Sequence, residues 1–186
     1  MREIIPEKKN SALREVAREI PLADITGTRV QNLITDMKAL LSSEDYGVAL
    51  AASQVGEPVR LFIVSGRALA RGSRNAPDED ETEETPQREE TPPPPDQVYI
   101  NPEIQKMSRG SKDKHEGCLS IRGYWGMVPR AEKATIRAYD EHGKVFTRGA
   151  AGFLAHIFQH EMDHLNGILY TDKATKVYED KPDEKE

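Results

Sequence analysis

The stretch from Phe153 to Tyr170 reads FLAHIFQHEMDHLNGILY and places His156, His160 and His164 at a spacing of four. Four residues advance about 400° around an α-helix, so a helix here lines three imidazoles along one stripe, between apolar neighbours. The pattern predicts a helix over roughly 149–165, with Gly167 as its C-terminal stop. The rest of the chain must fold around that helix and account for its polar stripe.

Within the stretch, HEMDH (160–164) sets two imidazoles one turn apart, with Glu161 about 100° off their line. Glu161 can reach water at such a site without being a ligand. The competing reading is a set of satisfied core or surface histidines, which is uncommon for His-Glu-x-x-His on an apolar-flanked helix. A catalytic metal needs a third protein ligand. Tyr170 stands where a His-x-x-Gly-x-x-His pattern would place a third His. Glu179, Glu184 and Glu186 sit in a short acidic tail that makes a poor scaffold. His156 shares the stripe, but i, i+4 and i+8 span about 12 Å along the axis. One ion cannot bridge that span with bonds of about 2.0–2.3 Å, so His156 is a neighbour and not a ligand. There remains Cys118 in HEGCLSI, the only cysteine of the chain. A lone cysteine is commonly a buried structural residue. Beside the His pair, the thiolate-ligand reading is favoured, with Gly117 allowing close backbone approach and the Leu119 N–H facing the site.

The 186 residues suit one domain. No run is long enough to span a membrane, and MREIIPEKKN has neither a signal-peptide core nor transit-peptide character, so a cytoplasmic protein is expected. A net charge of -6 argues against a general nucleic-acid grip, and no direct DNA binding is expected. Residues 1–25 read as a polar opening segment. Apolar spacing from Val30 to Leu41 predicts a helix capped by Thr26 or Thr28, and VRLFIVS (59–65) a buried strand. Residues 66–97 are acidic and Pro-rich and read as a disordered insertion, with docking to a basic partner or a proline reader as the alternative. QVYINPEIQKM reads as strand, and KATIRAYDEHGKVFTRGA as a β-hairpin turning at DEHGK. Residues 1–173 form the expected catalytic domain and 174–186 a polar, frayed tail. In GVALAASQVG (47–56), small residues permit close approach to the backbone and the Gln54 amide can donate to an oxyanion. Taken alone, that segment reads as tight helix packing.

Together, GVALAASQ, EGCLS and QHEMDH resemble, in order and spacing, the three motifs of peptide deformylase. NSALREVAREI and MVPRAEKATIRAYDEHG are also similar to that family, and the resemblance runs from about residue 11 to 173, outside 66–97. It implies an α+β fold, with antiparallel strands packed around a central helix carrying the metal ligands. It implies a metal on Cys118, His160 and His164, usually ferrous iron, with zinc, nickel or cobalt able to replace it. Glu161 would take a proton from the attacking water and deliver it to the leaving amine. Gln54 and the Leu119 N–H would stabilise the oxyanion. Glu116 and Arg130 match positions surrounding the site, and Asp163 is expected to contact Arg130. For Asp163 and Arg130 the alternative is a simple surface pair. The substrate implied is the N-formylmethionyl end of a nascent chain, met by a monomer with transient ribosome contact. The tail lacks the long basic helix some relatives use there. A metal amidohydrolase with a re-aimed pocket, a catalytically weak relative, and a binding module with a structural metal are the alternatives; intact Glu161 and Gln54 argue against the last.

Three positions depart from the family pattern. Ala49 replaces its second glycine, and its methyl is expected to crowd the substrate and modestly lower efficiency, so that Ala49→Gly raises kcat/KM. Trp125 stands where many relatives carry Arg, as a wall for the substrate's second or third residue or as a packing residue. His156 replaces an Arg or aliphatic residue. It borders the methionine pocket with Val48, Phe153 and Ile157, or it is a hydrogen-bonded helix histidine, the favoured reading.

Overall fold

The structure is a computed structural model that describes residues 2–72 and 92–179. After three short 3-10 turns the elements run α1 (Thr28–Ser43), β1 (Ala49–Ala51), β2 (Leu61–Val64), α2 (Gly66–Gly72), β3 (Gln97–Met107), β4 (Ser111–Cys118), β5 (Ile121–Ala131), β6 (Lys133–Tyr139), β7 (Val145–Ala151), α3 (Gly152–Leu165), α4 (Tyr170–Lys173) and β8 (Lys176–Glu179). A five-stranded sheet has the order β1-β2-β3-β6-β7, and a three-stranded sheet the order β4-β5-β8. All described pairings between these strands are antiparallel. The α+β architecture around a central helix is therefore the one expected.

The five-stranded sheet has apolar side chains on both faces. One face meets α3, where Leu154, Ala155 and Phe158 pack with Phe62, Tyr99 and Ile136. Phe62 and Tyr99 stack at 4.6 Å between ring centroids, and Phe158 meets Tyr99 edge-on at 5.3 Å. The other face carries α1, whose Val30, Leu33, Ile34, Met37 and Leu41 pack on Leu50, Leu61, Ile63 and Ile100. These α1 positions follow a 3.6-residue period, and the sequence picks them out together with Leu40, which is only partly buried.

Local signals misplace several boundaries. Residues 149–151 belong to β7, since Lys133↔Ala151 closes the β6–β7 ladder, and the helix begins at Gly152. Pairing overrides the helical preference of Ala150 and Ala151. The cap of α1 is Gly27, with no side-chain hydrogen bond, and Thr28 is the first helical residue. The expected insertion 66–97 starts too early. Residues 66–72 form α2, Asp96 Oδ1 accepts from the Gly66 N–H at 2.9 Å, and β3 begins at Gln97. Residues 73–91 lie outside the described residues. The tail is not frayed throughout either: Lys176–Glu179 pair with Tyr124–Met127 of β5. No helix among the described residues is long and apolar enough to cross a membrane.

Candidate active site and metal centre

Three strips of chain converge on one point. Strand β1 lies at the edge of the five-stranded sheet and β4 at the edge of the other, with α3 beside them. Cys118 ends β4, and His160 and His164 lie on α3. The ligand atoms of these three residues lie within 4.8 Å of one another. Cys118 Sγ is 3.3 Å from His164 Nε2. A tetrahedral ion with bonds of about 2.0–2.3 Å brings its ligands to about 3.5 Å apart, so the cluster fits a divalent cation. The donor set of one thiolate and two imidazoles suits zinc or ferrous iron.

Glu161 is 3% exposed, and its Oε2 has no hydrogen-bond partner among the described residues. Burial pushes its carboxyl up to about 7, the Glu116 charge acting in the same direction and His160 against it. Burial also holds His164 well below its ordinary value, with His160 adding to the effect. For His160, burial works against charge, but hydrogen bonds with Cys118 and Glu116 prevail and hold it well above the ordinary range. Tyr170 of α4 stacks on His160 at 6.4 Å between centroids and 24° between planes.

Glu116 organises the outer partners. Its carboxylate is buried between β4, β5 and α3. Arg130 Nε donates to Oε1 at 2.5 Å and Nη2 to Oε2 at 3.0 Å. His160 Nδ1 lies 2.7 Å from Oε2, and His156 Nε2 lies 2.9 Å from Oε1. Because a carboxylate only accepts, His160 donates its Nδ1–H and turns Nε2 toward the cluster. Burial alone would raise the Glu116 carboxyl; the hydrogen bonds from His156, His160 and Arg130 hold it far below the carboxylate range. Arg130 also donates from Nη1 to Asp163 at 2.6 Å, the contact expected from sequence, and Lys173 reaches the other Asp163 oxygen at 2.6 Å. Arg130 is 3% exposed, so this is not a surface pair.

Gln54 is 2% exposed and follows β1. Its Oε1 accepts from the Ala51 N–H at 2.9 Å, which fixes the amide orientation. Nε2 then faces Cys118 Sγ and Ser120 Oγ, each at 3.4 Å. Leu119 follows Cys118 in the turn to β5 and packs against the α1-side core. The opening segment holds both turns. Ile5 N–H donates to Gln54 O and Glu7 N–H to Ser120 O, each at 2.9 Å, and Asn10 Nδ2 donates to Ser53 O at 2.8 Å.

The pocket residues separate. Val48, Phe153 and Ile157 join the α3-side core cluster, with Phe153 and Val48 only partly buried. His156 meets the Phe153 ring edge-on at 6.3 Å while its Nε2 turns to Glu116. Ala49 is 6% exposed and packs in that same cluster. Its methyl thus belongs to the cluster that also holds Val48, Phe153 and Ile157. Trp125 lies over Gly117, where a methyl group added to the glycine would meet the indole at 3.1 Å, and it pairs across the strand with Tyr178. Sequence reasoning missed the roles of Ser120 and Asn10, because their partners lie far away along the chain, and those of Tyr170 and Lys173, because only the turn after α3 folds them back onto it.

A family model described as polypeptide deformylase matches residues 1–180. A peptide deformylase of Dehalococcoides mccartyi (strain CBDB1) is 37% identical over 168 residues, 90% of this chain and 83% of that protein. The crystal structure of a peptide deformylase from Legionella pneumophila matches with a TM-score of 0.73 at 32% identity, over 94% of this chain and 86% of that one. A Met-Ala-Ser-bound class I type b peptide deformylase from Acinetobacter baumannii matches with a TM-score of 0.73 at 28% identity, over 93% and 98%.

Proposed function

This chain belongs to the polypeptide deformylase family, and from that premise we propose that Glu161, Gln54 and the Cys118–His160–His164 cluster divide the work of hydrolysing an N-formylmethionyl amide. The reaction removes the formyl group from the N-terminal methionine of newly made polypeptides and releases formate. The observation that carries the assignment of roles is the buried Oε2 of Glu161, without a partner among the described residues, beside a metal-sized Cys-His-His cluster.

Cys118, His160 and His164 would hold the cation, and ferrous iron is the ion we assign, with zinc, nickel or cobalt as substitutes. A divalent cation there supplies Lewis acidity to the attacking water and the formyl carbonyl. Glu161 takes the proton from that water as its oxygen bonds to the formyl carbon. A carboxyl poised near neutrality suits this task and the return of the proton to the leaving amine as the C–N bond breaks. Gln54 Nε2, aimed by the Ala51 contact, and the Leu119 N–H donate to the oxyanion. Val48, Phe153 and Ile157 form the apolar lining for the methionine side chain. The outer edges of β1 and β4, the end strands of the two sheets, would offer backbone groups to an extended peptide, as in strand addition. The Met-Ala-Ser ligand of the Acinetobacter relative supports a peptide of that type. We place the protein in the cytoplasm, as a monomer that meets nascent chains during transient ribosome contact.

The test is formate release from formyl-Met-Ala-Ser by protein purified without oxygen and loaded with Fe2+ or Ni2+. Release that disappears in Glu161→Gln while metal content is retained supports the roles given. No release from fully loaded protein overturns them.

A further inference from the structure

His156 has no part in that hydrolysis. It is a helix residue at the edge of an apolar pocket, yet its ring nitrogen is spent on a buried carboxylate. Glu116 accepts four contacts among the described residues. Oε1 receives Arg130 Nε and His156 Nε2, and Oε2 receives Arg130 Nη2 and His160 Nδ1. No accepting site is left open toward solvent, since the Glu116 side chain is 0% exposed. His160 depends on this carboxylate for its tautomer and ring orientation. The position of the carboxylate in turn depends on what holds its Oε1 side.

Arg130 grips the carboxylate from β5 with a two-pronged fork, but nothing in that fork ties the carboxylate to α3. Its guanidinium is shared with Asp163, and Asp163 is shared with Lys173. His156 is the contact to Oε1 that comes from the same helix as the two histidine ligands, one turn before His160. Both imidazoles reach one carboxylate from successive turns, so Glu116 is clamped against α3 at two points. The His156 ring is held on its other side by the edge-on Phe153 ring, itself covered by Arg71 at 4.8 Å.

We propose that His156 is a positioning residue for the metal centre: it completes the hydrogen-bond shell of Glu116 and through it holds His160 in its ligating orientation. This rests on Cys118, His160 and His164 holding a metal ion. It predicts that a side chain with a donor at the same reach preserves the site, and that an apolar or shorter one does not. A glutamine amide nitrogen reaches about as far as Nε2, whereas an asparagine stops short.

The experiment loads wild type, His156→Ile, His156→Asn and His156→Gln with Ni2+ and follows transfer of the ion to excess chelator. His156→Ile and His156→Asn should release Ni2+ about tenfold faster, the lower end of the range for partners of metal-ligating histidines. His156→Gln should stay within about threefold of wild type by the same argument. In fully loaded protein, kcat on formyl-Met-Ala-Ser should fall for the first two with KM little changed. If His156→Ile does not fold, the Asn and Gln variants carry the comparison. Release from Ile and Asn variants at the wild-type rate overturns the proposal, whatever happens to KM. Equal acceleration in all three variants overturns it as well, because the donor would then be irrelevant. Ni2+ release needs no turnover, so a wild type that retains metal but frees no formate refutes the reaction and not this role.

Discussion

A buried carboxylate is costly unless its oxygens are satisfied, and Glu116 is satisfied by groups from two further elements, β5 and α3. Removing the charge leaves Asp163 as the anionic partner of Arg130 among the described residues. Glu116→Gln is therefore expected to cost about 3–5 kcal/mol of stability at neutral pH, the range for breaking a buried ion pair, read by chemical denaturation. The sign of its pH dependence follows from the depressed folded-state value. The stability it contributes is complete above the unfolded carboxylate value of about 4.3 and drains as pH falls below it. Glu116→Gln should flatten that acid limb; an unchanged limb would show that other carboxylates cause it. Ala49 gives a second prediction. Its methyl lies in the core, so Ala49→Gly removes packing and adds unfolded-state entropy, together about 1–2 kcal/mol. Tm should fall and kcat/KM should not rise. A rise would instead support the crowding expected from sequence.

Elements with a strong internal period were legible in the sequence. Helix α1 and the β6–β7 hairpin announce themselves through apolar spacing and a turn, and α3 through its histidine stripe. Strand β1 was not legible, because ALA favours helix and becomes strand only by pairing with Phe62–Val64. Strand β8 was hidden by the polar KVYE, whose pairing partner lies about fifty residues upstream. The same asymmetry holds at the site. Two imidazoles and a cysteine declare a metal through residue type and spacing, while the fourfold acceptance by Glu116 exists only once three elements meet. The hidden elements carry a prediction. Strand β8 covers the outer edge of β5, and Thr175 donates to Met127 O at 2.8 Å. Ending the chain after Lys173 turns β5 into an edge strand. Amide exchange in β5 should accelerate while that in β2 and β3 does not. Equal protection with and without β8 would show that β5 needs no cover.

The two sheets form separate ladders, joined through α3 and through the opening segment that holds the Gln54 and Ser120 turns. The helix packs on the five-stranded sheet through Leu154, Ala155 and Phe158. Toward the three-stranded sheet it presents Asp163 to Arg130, His156 and His160 to Glu116, and the ligand pair to Cys118. A cation on Cys118, His160 and His164 would thus tie β4 to α3, in parallel with the Arg130 network. Free metal at a thousandfold over Kd stabilises the native state by about 4.1 kcal/mol. For a chain of this size each kcal/mol shifts Tm by about 2–4 °C, so chelation should lower Tm by roughly 8–16 °C. Exchange should loosen in β4 and β5 more than in β2 and β3, because only the former lose a tether. Reloading with Ni2+ should restore both readings. A uniform loss across both sheets would mean that α3 itself depends on the ion, and a Tm unmoved by chelation would mean that the Arg130 network and the opening segment hold the sheets together without it.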